Sequence, residues 1–185
     1  MYNEIEIDII TNMLQKLWLE DFYRYCLTLE GDSAIQMKQL LEFEADRRAI
    51  SITINSFNTS LNEPANRDSE RKKLYCSFGS LYPECTLIKF SLVSDLGQLA
   101  TALEPYKVYS DLMRQSLEGS KTFEDLLYEY EVQLCRQAFD GQSHVASFYA
   151  WTKLKKQELR NIKWILSCIN QKRDQKDFNK WIKTF

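Results

Sequence analysis

From residue 33 to residue 57 the apolar side chains return at alternating steps of three and four. Leu40, Phe43, Ile50, Ile54 and Phe57 carry the pattern, and Arg47 holds the one position where an apolar residue is missing. This is the period of an α-helix and not of a strand, whose faces alternate every second residue. Asp32 or Ser33 is placed to start the helix, and a guanidinium sits within its apolar stripe. Glycine and proline do little to interrupt such helices elsewhere. The five glycines and three prolines are scattered through 185 residues, and that scarcity favours long helices over a turn-rich β protein. The expected fold class is all-α.

Other segments repeat the signal. Residues 4–28 read as a helix, with Ile7, Ile10, Leu14, Trp18, Phe22 and Tyr25 near the 3.6-residue period, and Gly31 and Asp32 break it. Residues 58–73 are polar and charged, reading as a loop leading into a short helix. Ser80-Leu81-Tyr82-Pro83-Glu84 reads as a turn, since proline restrains the residue before it. Short helices are expected near 86–91, 94–103 and 105–117. Thr122 is an apt N-cap, with Glu124 and Asp125 in the first turn where the helix dipole favours them, for a helix ending near Phe139. After the Asp140-Gly141 turn, residues 142–171 form a long helix with Trp151, Leu154, Ile165 and Cys168 on one stripe. The tail from Asp177 to Phe185 is amphipathic. The chain thus divides into a helical hairpin over 1–57, a loop with short helices over 58–121, and a second hairpin over 122–185. No linker separates these parts, so one continuous unit is expected.

Charge and cysteine usage narrow the function. With 24 basic and 26 acidic residues, the formal net charge is −2, which gives no broad attraction to nucleic acid or anionic lipid. No apolar run reaches the length of a membrane span, and the acidic start MYNEIEIDII lacks a signal-peptide pattern. A soluble chain, reaching a membrane only through a partner, is expected. The cysteines, Cys26, Cys76, Cys85, Cys135 and Cys168, are odd in number and form no CxxC pair. They read as free thiols of a reducing compartment. The sequon at Asn58-Thr59-Ser60 is then a chance match.

The residues of known chemistries are missing. His144 is the single histidine, which excludes HExxH and any multi-histidine metal site within the chain. The glycines are too far apart for a phosphate-binding loop, and no GxSxG elbow occurs. A Cys–His pair through His144 stays open, although a lone histidine near a helix start more often caps or packs. No catalytic residue, cofactor site or metal site is expected.

The densest charged cluster is Glu42, Glu44, Asp46, Arg47 and Arg48. Its carboxylates could form a metal or acid–base pair, but the adjacent arginines would neutralise a cation site. The structural reading has Arg47 entering the core and pairing with Glu44, one turn back. Arg47→Ala is then expected to destabilise more than Arg48→Ala. Glu158 and Asn161 repeat the spacing of Glu44 and Arg47, with Leu154 standing before them as Leu40 does. This recurrence, offset by 114 residues, fits either two copies of one helical unit or coincidence. The expected structural polar residues are therefore Glu44, Arg47, Arg48, Glu158 and Asn161.

LEFEADRRA at 41–49, followed by TINSF at 53–57, resembles subunit d of V-type proton ATPases, a membrane-sector component with archaeal and bacterial counterparts. FYRYC at 22–26, LYPE at 81–84, EYEVQL at 129–134, FYA at 148–150, KLKKQELRNIKWI at 153–165 and CINQKR at 168–173 are similar in the same order. The match is to the C-terminal half of that family's pattern. It is weak across 58–78 and 86–120.

The resemblance implies a funnel-like arrangement of antiparallel helices in pseudo-repeats. It implies a subunit without chemistry of its own, on the cytoplasmic face of vacuolar, lysosomal or endosomal membranes. The implied partners are the proteolipid (c) ring and central-stalk subunits D and F, with a second chain as one source of the missing N-terminal half. A fragment, a truncated isoform and a divergent adaptor outside the pump remain alternative readings of the half length.

Overall fold

The computed structural model describes residues 4–82, 89–119, 121–141 and 144–172. The fold is all-α, and every regular element among the described residues is helical. The long helices are α1 (Glu4–Cys26), α2 (Gly31–Ser56), α3 (Leu96–Leu103), α4 (Lys107–Leu117), α5 (Phe123–Asp140) and α6 (Ala146–Asn170). Short helical turns fill Ser60–Leu74, and residues 89–92 are helical. The chain forms two compact units, Met1–Leu127 and Tyr128–Phe185, with the boundary inside α5. Parts of the turn expected at 80–84 and the helix expected at 86–91 lie outside the described residues, as does the amphipathic tail.

Local chemistry explains the helix ends. Gly31 adopts φ +60°, a left-handed conformation that costs glycine little, so the chain reverses there. Accordingly α2 starts at Gly31, ahead of Asp32 and Ser33, and Asp32 falls in its first turn. Thr122 caps α5 by accepting from the Asp125 amide at 3.2 Å, while its hydroxyl donates to the Asp125 carboxylate at 2.6 Å. Asp95 caps α3 by accepting from the Gln98 amide at 2.9 Å.

In the first unit α2 is the central element. Met37, Leu40, Leu41, Phe43, Ala45, Asp46, Ala49, Ile50, Thr53 and Ser56 are buried along it. Phe43 stacks near-parallel on Tyr109 of α4 at 6.3 Å between ring centroids. Leu74, Tyr75, Leu81, Phe90, Val93, Leu99 and Leu103 complete the core, all at most 4% exposed.

The α1 helix contributes little apolar surface to that core. Among its described side chains the buried apolar ones are Leu19 and Cys26; Ile9 and Phe22 are half-buried, and several polar side chains complete its inner face. Arg48 of α2 donates to Gln15 at 2.6 Å. Glu20 accepts from the Ser77 amide at 2.7 Å, and Lys16 donates to the Lys73 carbonyl at 2.8 Å. Tyr23 donates to Glu42 at 2.9 Å and stacks on Phe78 at 3.9 Å. The stripe that marks this helix in the sequence turns outward instead. Ile7, Ile10, Leu14, Trp18 and Tyr25 are 48–63% exposed.

In the second unit, Glu131 of α5 meets Lys153 of α6 at 3.5 Å, and the Arg160 guanidinium lies 3.6 Å from the Tyr128 ring centroid. As the residue number falls on α5 it rises on α6, so the two run antiparallel. The buried positions of α6 are Ala146, Ala150, Gln157 and Cys168. Small residues take the buried positions at its start, and Trp151, on the stripe expected from the sequence, is 53% exposed.

Candidate functional site

The most deeply buried charged groups of the first unit are a carboxylate and a guanidinium, and each joins segments distant in sequence. Asp46, on α2, is 2% exposed. It accepts from the Ser80 amide at 3.1 Å, the Leu81 amide at 3.0 Å and the Tyr109 hydroxyl at 2.8 Å. One side chain thus ties α2 to the 79–82 turn and to α4. Burial raises its pKa to about 6, against the lowering effect of those three donors. Gly79, at φ +125°, leaves the space that the carboxylate occupies, since a Cβ there would lie 2.3 Å from Asp46 Oδ1.

Arg71 is fully buried. Its guanidinium donates to the carbonyls of Phe90, Ser91 and Val93 at 3.0, 2.6 and 2.7 Å, and to Ser56 Oγ at 2.9 Å. It thereby serves carbonyls at the C-terminal end of the 89–92 turn, where positive charge is favoured; the Phe90 carbonyl also accepts from the Val93 amide at 3.3 Å. Burial lowers its pKa, and nearby Tyr75, itself hydrogen-bonded to Thr53 at 2.8 Å, opposes that effect.

Among the residues singled out from the sequence, Glu44 and Arg47 lie 3.9 Å apart, with side chains 13% and 15% exposed. Arg48 points to α1, reaching Gln15 and, at 3.4 Å, Asn12. Glu158 accepts from Lys155 at 2.6 Å with 44% of its side chain exposed. Asn161 accepts from Gln157 at 3.2 Å. Asp46 and Arg71 were not distinguished by sequence spacing. Asp46 stood in the charged cluster and Arg71 in a polar stretch, and their partners are 34 to 63 and 9 to 22 residues away respectively.

These geometries describe joints between segments of the first unit and within the second. The backbone carbonyl of His144 accepts from Ser147 Oγ at 2.8 Å at the start of α6, while among the described residues neither ring nitrogen has a hydrogen-bond partner. Among the described residues, no thiol is therefore bonded to that imidazole. Cys26, Cys76, Cys135 and Cys168 are buried and form no disulfide among the described residues, and burial pushes the Cys76 thiol up to about 11, away from a reactive thiolate. Among the described residues, no group of three or more His, Cys, Asp or Glu is placed to hold a metal ion. No helix among them is long and apolar enough to cross a membrane.

Comparison with known proteins identifies the scaffold. Residues 1–180 match the model of the ATP synthase (C/AC39) subunit family. The chain belongs to that family. Among similar proteins, V-type proton ATPase subunit d of Dictyostelium discoideum is 45% identical over 184 residues, covering 99% of this chain and 50% of that protein. Subunit d1 of Arabidopsis thaliana is 40% identical over 170 residues, covering 91% and 47%. Subunit d of Saccharomyces cerevisiae is 34% identical over 184 residues, covering 99% and 50%. The chain spans about half the length of these curated relatives.

Proposed function

We propose that this chain acts as a non-catalytic subunit of a V-type proton-translocating ATPase, linking the central stalk to the proteolipid ring. The observation that carries the reading is the family match over residues 1–180, together with relatives named as subunit d that cover 99% of the chain. The internal architecture suits such a part. Its deepest charged groups fasten helices to one another, and transmitting torque requires elements that do not slide. In this reading the chain binds the proteolipid ring and stalk subunits D and F on the cytoplasmic face of an acidifying organelle, and another segment supplies the other half of the scaffold.

Depletion of the chain from its source cells tests the proposal. ATP-driven acidification of isolated organelle vesicles is expected to fall and to return when the chain is restored. The purified chain alone is expected to hydrolyse no ATP. Unchanged acidification after complete depletion would overturn the coupling role.

A further inference from the structure

The polarity of α1 is the reverse of what a helix covering a core requires. The inner face uses Asn12, Gln15, Lys16, Glu20 and Tyr23 for hydrogen bonds to its own unit. At about 3.6 residues per turn, Ile7, Ile10, Met13, Leu14, Leu17 and Trp18 fall on the opposite side. They are 52%, 48%, 41%, 63%, 58% and 59% exposed. A contiguous stripe of six large apolar side chains over three turns is more than the scattered exposed residues normal for a protein surface.

We infer that this stripe is the seat of an amphipathic helix from the half of the subunit d scaffold that the chain does not match. Three observations select that occupant. The relatives are about twice as long as the aligned region, so the scaffold contains as much chain again. The helix bearing the stripe belongs to the matched region, and its polar face is already engaged, so the apolar face is the one left to receive a neighbour. Finally, α1 carries Glu4, Glu6, Asp8, Glu20 and Asp21 against Lys16 and Arg24. An acidic helix disfavours an anionic lipid surface, where interfacial helices are rich in Lys and Arg. The stripe is broken at Asp21, which pairs with exposed Arg24 at 3.1 Å, so the seat runs from Ile7 to Trp18. Leu14 and Leu17, lying side by side at its centre, are its anchors.

This inference rests on family membership and not on the coupling role, so either can fail while the other stands. The test uses the assembly as it exists in the source cells, with a photoreactive benzophenone residue replacing Ile10. A second preparation carries the same group in place of Asp68, an exposed residue outside α1. Crosslinked peptides are identified by mass spectrometry. The Ile10 probe is expected to capture peptides from the unmatched half of a subunit d scaffold, on this polypeptide or another, and the Asp68 probe is not. Leu14→Glu with Leu17→Glu is expected to lower that crosslink at least about tenfold, because burying a leucine contributes on that scale. The melting temperature of the isolated chain is expected to stay unchanged. Capture of another copy of this chain, a different subunit or lipid alone would overturn the inference. So would labelling no greater than at Asp68, or a marked fall in the melting temperature of the isolated variant.

Discussion

Replacing Gly79 with alanine tests the Asp46 joint at a single methyl group. Gly79 has φ +125°, a conformation that residues with a Cβ rarely adopt, and the new Cβ would meet Asp46 Oδ1 at 2.3 Å, Asp46 Cγ at 3.3 Å and Ala45 Cβ at 3.5 Å. The backbone strain costs about 1–3 kcal/mol. The carboxylate must also withdraw from the amides of Ser80 and Leu81 and the Tyr109 hydroxyl. Each buried donor left without its acceptor adds roughly 1–3 kcal/mol. With relaxation preserving one of the three bonds, the total is about 3–9 kcal/mol. Gly119→Ala is the matched control. It has φ +91° with no atom within 4 Å of a Cβ, so only the backbone contribution applies. Urea unfolding of both variants, followed by circular dichroism, should place the Gly79→Ala midpoint clearly below that of Gly119→Ala. Equal midpoints with equal slopes would refute the account of Asp46 as a filled, space-limited joint.

Other perturbations read the same framework. The Asp46 pKa, raised to about 6 by burial, means that protonation favours the folded state. The stabilising contribution is present below the ordinary carboxylate pKa and is lost as pH rises through about 6, an effect of about 3 kcal/mol for a shift near two units. Wild type should therefore lose stability between about pH 4 and pH 7 more steeply than Asp46→Asn, and parallel denaturation profiles would contradict this. Arg71→Met removes the guanidinium that donates to three backbone carbonyls and Ser56 from a fully buried position. It should cost at least about 3 kcal/mol by thermal denaturation, and Arg71→Lys should recover little because an ammonium lacks the planar fork. Arg47→Ala should lower the melting temperature more than Arg48→Ala, because it removes the cation beside a Glu44 side chain only 13% exposed. The Arg48 variant should instead speed amide exchange in α1, whose residues Asn12 and Gln15 it holds. Equal melting temperatures would defeat the first expectation, and unchanged exchange the second.

Much of the helical architecture was legible because period and caps are local. The 3.6-residue recurrence located α1, α2, α5 and α6, and Thr122 marked the start of α5 through a hydrogen bond only three residues long. Direction was not legible. Periodicity states that Ile7, Ile10, Leu14 and Trp18 share a face, but the same spacing serves a face turned inward or one turned outward for a neighbour. Nor could local spacing separate Asp46 from Glu44, two residues away. The difference lies in Ser80, Leu81 and Tyr109, which the fold brings to one carboxylate and not to the other. Arg71 was hidden for the same reason. A polar run such as Asn58–Lys73 reads as solvated loop unless one knows that the carbonyls of 90–93 close over it. In α6, Ala146 and Ala150 carry burial that a search for large apolar residues assigns to Trp151.

Belonging to the proton pump is the central claim, and co-purification measures it most directly. The intact V-type ATPase would be isolated from the source cells through a tag on a catalytic-sector subunit, and its composition quantified by mass spectrometry. The account predicts this chain in fixed proportion to the proteolipid and to stalk subunits D and F. Its absence from an otherwise complete pump would contradict the account.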